Sequence, residues 1–367
     1  MTAPSSEPIP RRHRSGSSLS RIARTLGSAA SHHATWVIGA ALVAGTATVV
    51  AVAVVAAPGG TAADAGSARS PAAGSSVGGS PKTARAQLTP RPLGYLGALE
   101  PNAPATYAGV DTFGRTIGRT PNLAMYYSGW YEKFQTAFAD SAAAKGAFPV
   151  AEIDPTHISL TAISEGVYDT YLDRFADQVA AYKRPVVISF GHEMNGDWFS
   201  WGYQTTDPAT FVAAWRHIVN VFRSQGADNV TWMWTVNSPN HAPYDLCAWW
   251  PGSQYVTWVG LDSYYYNQTD TFGKLFGSDI HEIRECANKP ILITETAAGQ
   301  LSGRQRAIRN LFSAIRAGGY LGFIWFDKNQ DEPPYHQAWR LETDPPSVIS
   351  TFRREASGWR LIRRYRR

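Results

Sequence analysis

Between residues 91 and 352 the apolar positions repeat one pattern: a short apolar run, then a longer segment whose apolar residues recur every three to four positions. The runs are LGYLGAL (93–99), NLAMYYS (122–128), FPVAEI (148–153), PVVISFG (185–191), VTWMWTV (230–236), YVTWVGLD (255–262), PILITET (290–296) and LGFIWFD (321–327). They are nearly continuous rather than alternating, as expected of parallel strands covered on both faces. Several intervening segments carry helix signals. In DPATFVAAWRHIVNVFRSQG, Asp207 is placed to cap, Pro208 takes the first helical position and Gly226 follows the last turn. Phe211, Trp215, Ile218 and Phe222 then share one buried face, and Val167, Tyr171, Phe175 and Val179 predict a similar stripe before the fourth run. Eight β-then-α units predict an α/β fold, a (β/α)8 TIM barrel. A doubly wound open sheet would need a Gly-rich phosphate turn after an early strand, and the Gly-rich stretch lies elsewhere.

The pattern is different ahead of the barrel. Trp36–Ala57 is 22 residues without a charge, enough to cross a bilayer as a helix. Five Arg precede it between residues 11 and 24, so the positive-inside rule keeps residues 1–35 cytoplasmic as a basic tail. A cleaved signal peptide, giving a secreted protein, is the rival reading. Its apolar core would ordinarily run ~7–15 residues, and Pro58 is a poor residue to follow a cut. Residues 58–90 are rich in Gly, Ser, Ala and Pro and read as a linker. The expected layout is a single-pass membrane protein anchored by residues 36–57. It displays a catalytic barrel (91–352) outside the cell and ends in a basic tail (353–367), most simply a solvated one.

Charge changes the picture once divided by segment. The formal net charge is +5, yet residues 89–352 hold 19 basic and 26 acidic residues. An acidic body argues against a nucleic-acid partner. The chain has 13 Trp and 17 Tyr, more rings than a core requires, and surplus aromatics suit sugar binding. Cys247 and Cys286 could pair in an exported domain, but the sequence does not decide their separation.

In such a barrel, residues just past each strand gather at one rim, where chemistry occurs. These positions give Trp130 after the second strand, Glu152 and Asp154 at the third, and His192, Glu193 and Asn195 at the fourth. They also give Asp262 and Tyr264 at the sixth, Glu295 at the seventh, and Trp325 and Asp327 at the eighth. Two carboxylates flanked by aromatics are what glycoside hydrolysis requires, one as proton donor and one to attack the anomeric carbon or activate water. A zinc reading of GHEMNG would need a second His one helical turn on, and position 196 is Gly. No metal and no cofactor are therefore expected. Trp198 and Trp201 are candidate walls for a sugar, and Trp249 and Trp250 either a packed corner or a distal platform.

With these residues in view, the domain resembles glycoside hydrolase family 26, retaining (β/α)8 glycosidases that include β-mannanases and mixed-linkage β-glucanases. The resemblance covers roughly residues 91–352. Its most specific part is His-Glu-x-Asn-Gly followed by Trp, here His192 to Trp198. It implies that Glu193 is the acid/base and Glu295, in ILITETA, the nucleophile. It further implies that Tyr264, in GLDSY, hydrogen-bonds the nucleophile and that Trp325 is an aromatic platform; Trp339-Arg340 resembles the segment closing the domain. Mannanases often set a His near the −1 sugar from an early strand. Glu152 and Asp154 stand there instead, leaving glucan or another β-linked polymer open. The expectation is a monomeric, retaining, endo-acting β-glycanase on an extracellular polysaccharide or oligosaccharide, with His192, Asn195, Trp198, Tyr264, Trp325, Trp130 and Asp262 shaping the substrate site. A non-catalytic carbohydrate-binding scaffold of an envelope polysaccharide system and a transglycosylase are the alternatives.

Overall fold

A computed structural model describes residues 88–299, 302–330 and 336–363. All eight predicted strands are present: β1 (Tyr95–Leu99), β2 (Leu123–Gly129), β3 (Phe148–Asp154), β4 (Val186–Phe190), β5 (Val230–Asn237), β6 (Trp258–Asp262), β7 (Ile291–Thr296) and β8 (Gly322–Phe326). They close into a barrel in chain order, with β8 parallel to β1. The connecting helices are α1 (Ala108–Ile117), α2 (Thr136–Ala144), the single turn α3 (Leu160–Ser164), α4 (Asp169–Tyr182), α5 (Pro208–Ser224), α6 (Phe272–Cys286), α7 (Arg304–Gly318) and α8 (Pro346–Ser357). The sequence signals explain α5: Asp207 accepts hydrogen bonds from the backbone N–H of Ala209 and Thr210, and Pro208 opens the helix. Val167 departs from expectation. It lies ahead of α4, in the turn, and is 65% exposed.

Strand side chains sort into two layers, as the pleat requires. Tyr95, Leu123, Met125, Val150, Val187, Met233, Trp258, Leu292 and Ile324 form a cluster without helical members, which is the barrel interior. Their alternates, among them Ile188, Phe190, Trp232, Trp234, Ile293, Phe323 and Trp325, pack on the helices. Trp232, for instance, contacts the rings of Trp215 and Phe222 on α5.

Three further expectations meet the structure here. Cys247 and Cys286 form a disulfide with a Cα–Cα separation of 5.8 Å, tying the β5–β6 loop to the end of α6. Trp249 is fully buried against Phe211, so it is part of a packed corner. The chain does not leave the fold at residue 352: α8 runs to Ser357, and Trp359 and Ile362 are buried. Apolar side chains spaced among the arginines explain this. The backbone carbonyl of Ile362 accepts from Asn122 Nδ2, and Arg363 donates to the carbonyls of Thr120 and Pro121. Residues 1–87 and 364–367, which include the expected anchor and most of the linker, lie outside the described residues. Among the described residues no helix is long and apolar enough to cross a membrane.

Candidate active site

The fourth strand stops at Phe190, and the chain turns through two left-handed residues, Gly191 (φ 53°) and Glu193 (φ 52°). For a glutamate that conformation is uncommon and costs about 1–2 kcal/mol. The turn is fixed by Glu193 N–H donating to the Thr235 carbonyl at 3.1 Å. It points the carboxyl at two donors: Asn237 Nδ2 reaches Oε1 at 2.9 Å and Trp198 Nε1 reaches Oε2 at 2.8 Å. Trp198 gets there by folding back over Gly196, where a Cβ would lie 2.4 Å from the indole. Glycine is thus required at 196 for a positive reason beyond the missing metal ligand. Asn195 does not face the carboxyl. It clamps Asn237, donating to its carbonyl at 2.8 Å and accepting its N–H at 2.9 Å.

Glu295 reaches the interior by an irregularity in β7. Regular alternation after Leu292 and Thr294 would turn residue 295 outward toward the helices. Instead β7 carries one residue more than either neighbour: Leu261 pairs with Ile293 but Asp262 with Glu295, and Ile293 pairs with Phe323 but Thr296 with Trp325. This bulge re-aims Glu295 inward, a recurrent use of bulges beside active sites. There its two oxygens accept hydrogen bonds from the hydroxyls of Tyr127 and Tyr264.

Around the pair, Glu152 and Asp262 are fully buried on the interior face, and among the described residues none of their carboxylate oxygens meets hydrogen-bond geometry with a protein group. Burial, reinforced by the neighbouring carboxylates, pushes both well above the ordinary carboxylate range. Burial also disfavours a charged His192. Glu152 and Asp154, 3.3 and 3.2 Å from its Nδ1, outweigh that and raise it well above the usual histidine value. For Glu193 burial is the largest influence; the His192 charge opposes it, repulsion from Glu295 adds to it, and the carboxyl is pushed up to about 7. Glu152, His192 and Glu295 offer ligand atoms within 4.8 Å of one another, the donor set of a cation site. A cation would have to compete with two tyrosine hydroxyls for Glu295 and with two carboxylates for His192. The arrangement is better matched to proton transfer and nucleophilic attack: one carboxyl kept protonated near neutrality, one clamped by hydroxyls.

Residues 119–340 match the model of glycosyl hydrolase family 26, three-fifths of the chain. The chain belongs to this family. Relatives include Endoglucanase H of Acetivibrio thermocellus, 28% identical over 279 residues, covering 72% of this chain and 30% of that protein. Another is a β-1,3-xylanase of Vibrio, 31% identical over 138 residues, covering 37% and 28%. This chain therefore spans less than a third of the length of these relatives. The fold is shared with the modular endo-β-1,4-mannanase of Cellulomonas fimi at 19% identity, a TM-score of 0.56, and coverage of 73% and 72%.

In this family 26 barrel, Glu193, Glu295, His192, Tyr264 and Asp262 converge at the carboxyl-terminal rim, with Trp198 bound to Glu193. Three expected sugar contacts fall elsewhere. Trp325 is fully buried in the outer layer, edge-on to Phe352 of α8, with its Nε1 donating to the Trp339 carbonyl. Strand parity explains the error: Phe326, one residue on, faces the interior and meets the Tyr264 ring at 5.5 Å. Trp130 packs on Phe190, Tyr168 and Tyr171, outside the barrel wall. Trp201 is buried, stacked on Phe199 at 4.3 Å, and supports the motif by donating to the His192 carbonyl. Asp327 is buried and accepts from the Leu341 N–H, a structural role. Sequence reasoning missed Tyr127 and Asn237. Tyr127 was findable, as the third interior position of β2 after Leu123 and Met125.

Proposed function

We propose that the chain is a retaining, endo-acting β-glycoside hydrolase of an extracellular β-linked polysaccharide. The observation that carries this reading is the unequal treatment of two buried carboxyls at one rim. Glu193, pushed up to about 7, holds a proton for the departing oxygen. Glu295, gripped by Tyr127 and Tyr264, attacks the anomeric carbon, and Glu193 then deprotonates the water that releases the sugar. His192, charged and fixed between Glu152 and Asp154, together with Asp262, lines the space beside Glu295 where sugar hydroxyls would enter. The names of the relatives, an endoglucanase, β-1,3-xylanases and mannanases, support the substrate class. The Cys247–Cys286 disulfide supports an oxidising compartment, and thus display outside the cell from an anchor at residues 36–57.

The test is a panel of mannan, mixed-linkage glucan, β-1,3-xylan and β-1,4-xylan, with products read for linkage and initial anomeric form. Retention on at least one polymer, lost in Glu295→Ala, is the expected result. Hydrolysis surviving in Glu295→Ala would overturn the mechanism. The anchor is tested by the mass of the native protein: loss of roughly the first 58 residues refutes it.

A further inference from the structure

Trp130 belongs to a group of four rings that the catalytic site does not use. Tyr131 meets Tyr168 at 6.3 Å and Tyr171 at 5.5 Å, and Trp130 backs all three. Trp130 rests on Phe190, whose ring packs on Phe211 and Trp215 of α5, so the group lies outside the barrel wall. Tyr131 is nevertheless 65% exposed, and Val167, which lines the same groove, equally so, two of the few large apolar side chains left open among the described residues. Tyr131 also holds φ at 71°, a region that side chains other than glycine seldom adopt. An exposed tyrosine kept against its backbone preference points to a use for its ring.

That ring borders an open groove of about 590 Å³ between the β2–α2 loop and the flank of α4. Along with Tyr168 and Tyr171, the groove is lined by Glu132, Lys133 and Arg174, all exposed. Aromatic faces with donors and acceptors of both charge signs suit a neutral polyhydroxylated ligand. A purely apolar partner would leave the charges unmatched, and an anion would meet Glu132. The groove opens where β2 ends, on the rim that carries Glu193 and Glu295. From these observations we propose a second carbohydrate site, built on Tyr131, Tyr168 and Tyr171, that holds a β-linked glycan chain outside the catalytic cleft. The site keeps the polymer at the surface between cleavage events. It rests on the reading that the substrate is such a glycan.

The experiment is native gel retardation of the full chain in gels containing glucomannan, mixed-linkage β-glucan or β-1,3-xylan, comparing wild type with Tyr131→Gly and Arg174→Ala in a Glu295→Gln background. Retardation by at least one polymer, weakened about three- to tenfold by Tyr131→Gly, is expected, the range of a lost aromatic contact. Tyr131→Gly should be no less heat-stable than its parent, because glycine relieves the left-handed backbone. In the active background it should raise KM on the polymer and leave hydrolysis of a short aryl glycoside unchanged. Equal retardation of parent and variant overturns the site, as does absence of retardation in all three gels. So does a concentration-dependent doubling of mass that Tyr131→Gly abolishes, which would assign the patch to a second copy of the chain. If retardation depends on Tyr131 but no polymer is hydrolysed, the site stands and the catalytic reading falls.

Discussion

Glu193 is asked to be two things, protonated when the substrate arrives and charged when water attacks. Its position near 7 permits both. kcat/KM should therefore fall as pH rises through about 7, and a pH–rate profile checks it. The same burial sets a stability signature. An unfolded Glu titrates near ~4.3, so between there and about 7 the folded state binds the extra proton and stability declines as pH rises. Glu193→Gln removes that decline. The stability difference between variant and wild type should grow from pH 4.5 to 7 and level off above, read by denaturant titration at several pH values. On the nucleophile, Tyr127→Phe deletes one of two hydroxyls that hold Glu295. Hydrogen bonds to charged groups contribute about 1.5–3 kcal/mol, so kcat should drop roughly ten- to a hundredfold with Tm little changed. Of these residues, Glu193 and Glu295 were visible in the sequence because charges ending apolar runs are conspicuous. For Tyr127, parity from Leu123 and Met125 marks an inward position, but a tyrosine inside a strand reads equally as core, and only its partner 168 residues on assigns it to the site.

At the scale of elements, every strand was legible, because eight apolar runs of strand length leave few alternatives. Facing was harder to read. Trp325 and Phe326 are adjacent, and a parity error of one exchanges the layer against the helices for the interior. Parity also fails at β7, where the bulge adds a residue that no hydrophobic pattern marks. The bulge gives a sharp expectation: deleting Thr294 joins Glu295 directly to outward-facing Ile293, so regular pairing keeps its carboxyl inward opposite Asp262. That variant should keep the barrel folded and retain measurable aryl-glycoside hydrolysis, as circular dichroism and an activity assay would show; loss of both would mean that the bulge itself is what aims Glu295. The helix stripe misjudged at Val167 has a comparable cause: α4 starts two residues later, so the position that continued the period sits on the turn.

For the whole molecule, the barrel closes through β1 and β8, and the disulfide clips a 39-residue separation in its second half. A loop of that size contributes on the order of 3–4 kcal/mol in the chain-entropy account. Cys286→Ser should lower Tm by several degrees while leaving kcat at 25 °C intact, since the two sulfurs meet backbone carbonyls of α6, at Glu282 and Ile283. Both ends of the described chain converge on the face opposite the rim. Leu88 packs beneath the interior beside Tyr95 and Trp258, and Ile362 is stitched to Gly94 and Asn122, where the first two strands begin. The mouth that holds the acids thus faces away from both ends of the described barrel. Within the described barrel, the acids therefore open on one face and the two chain ends, at residues 88 and 363, on the other.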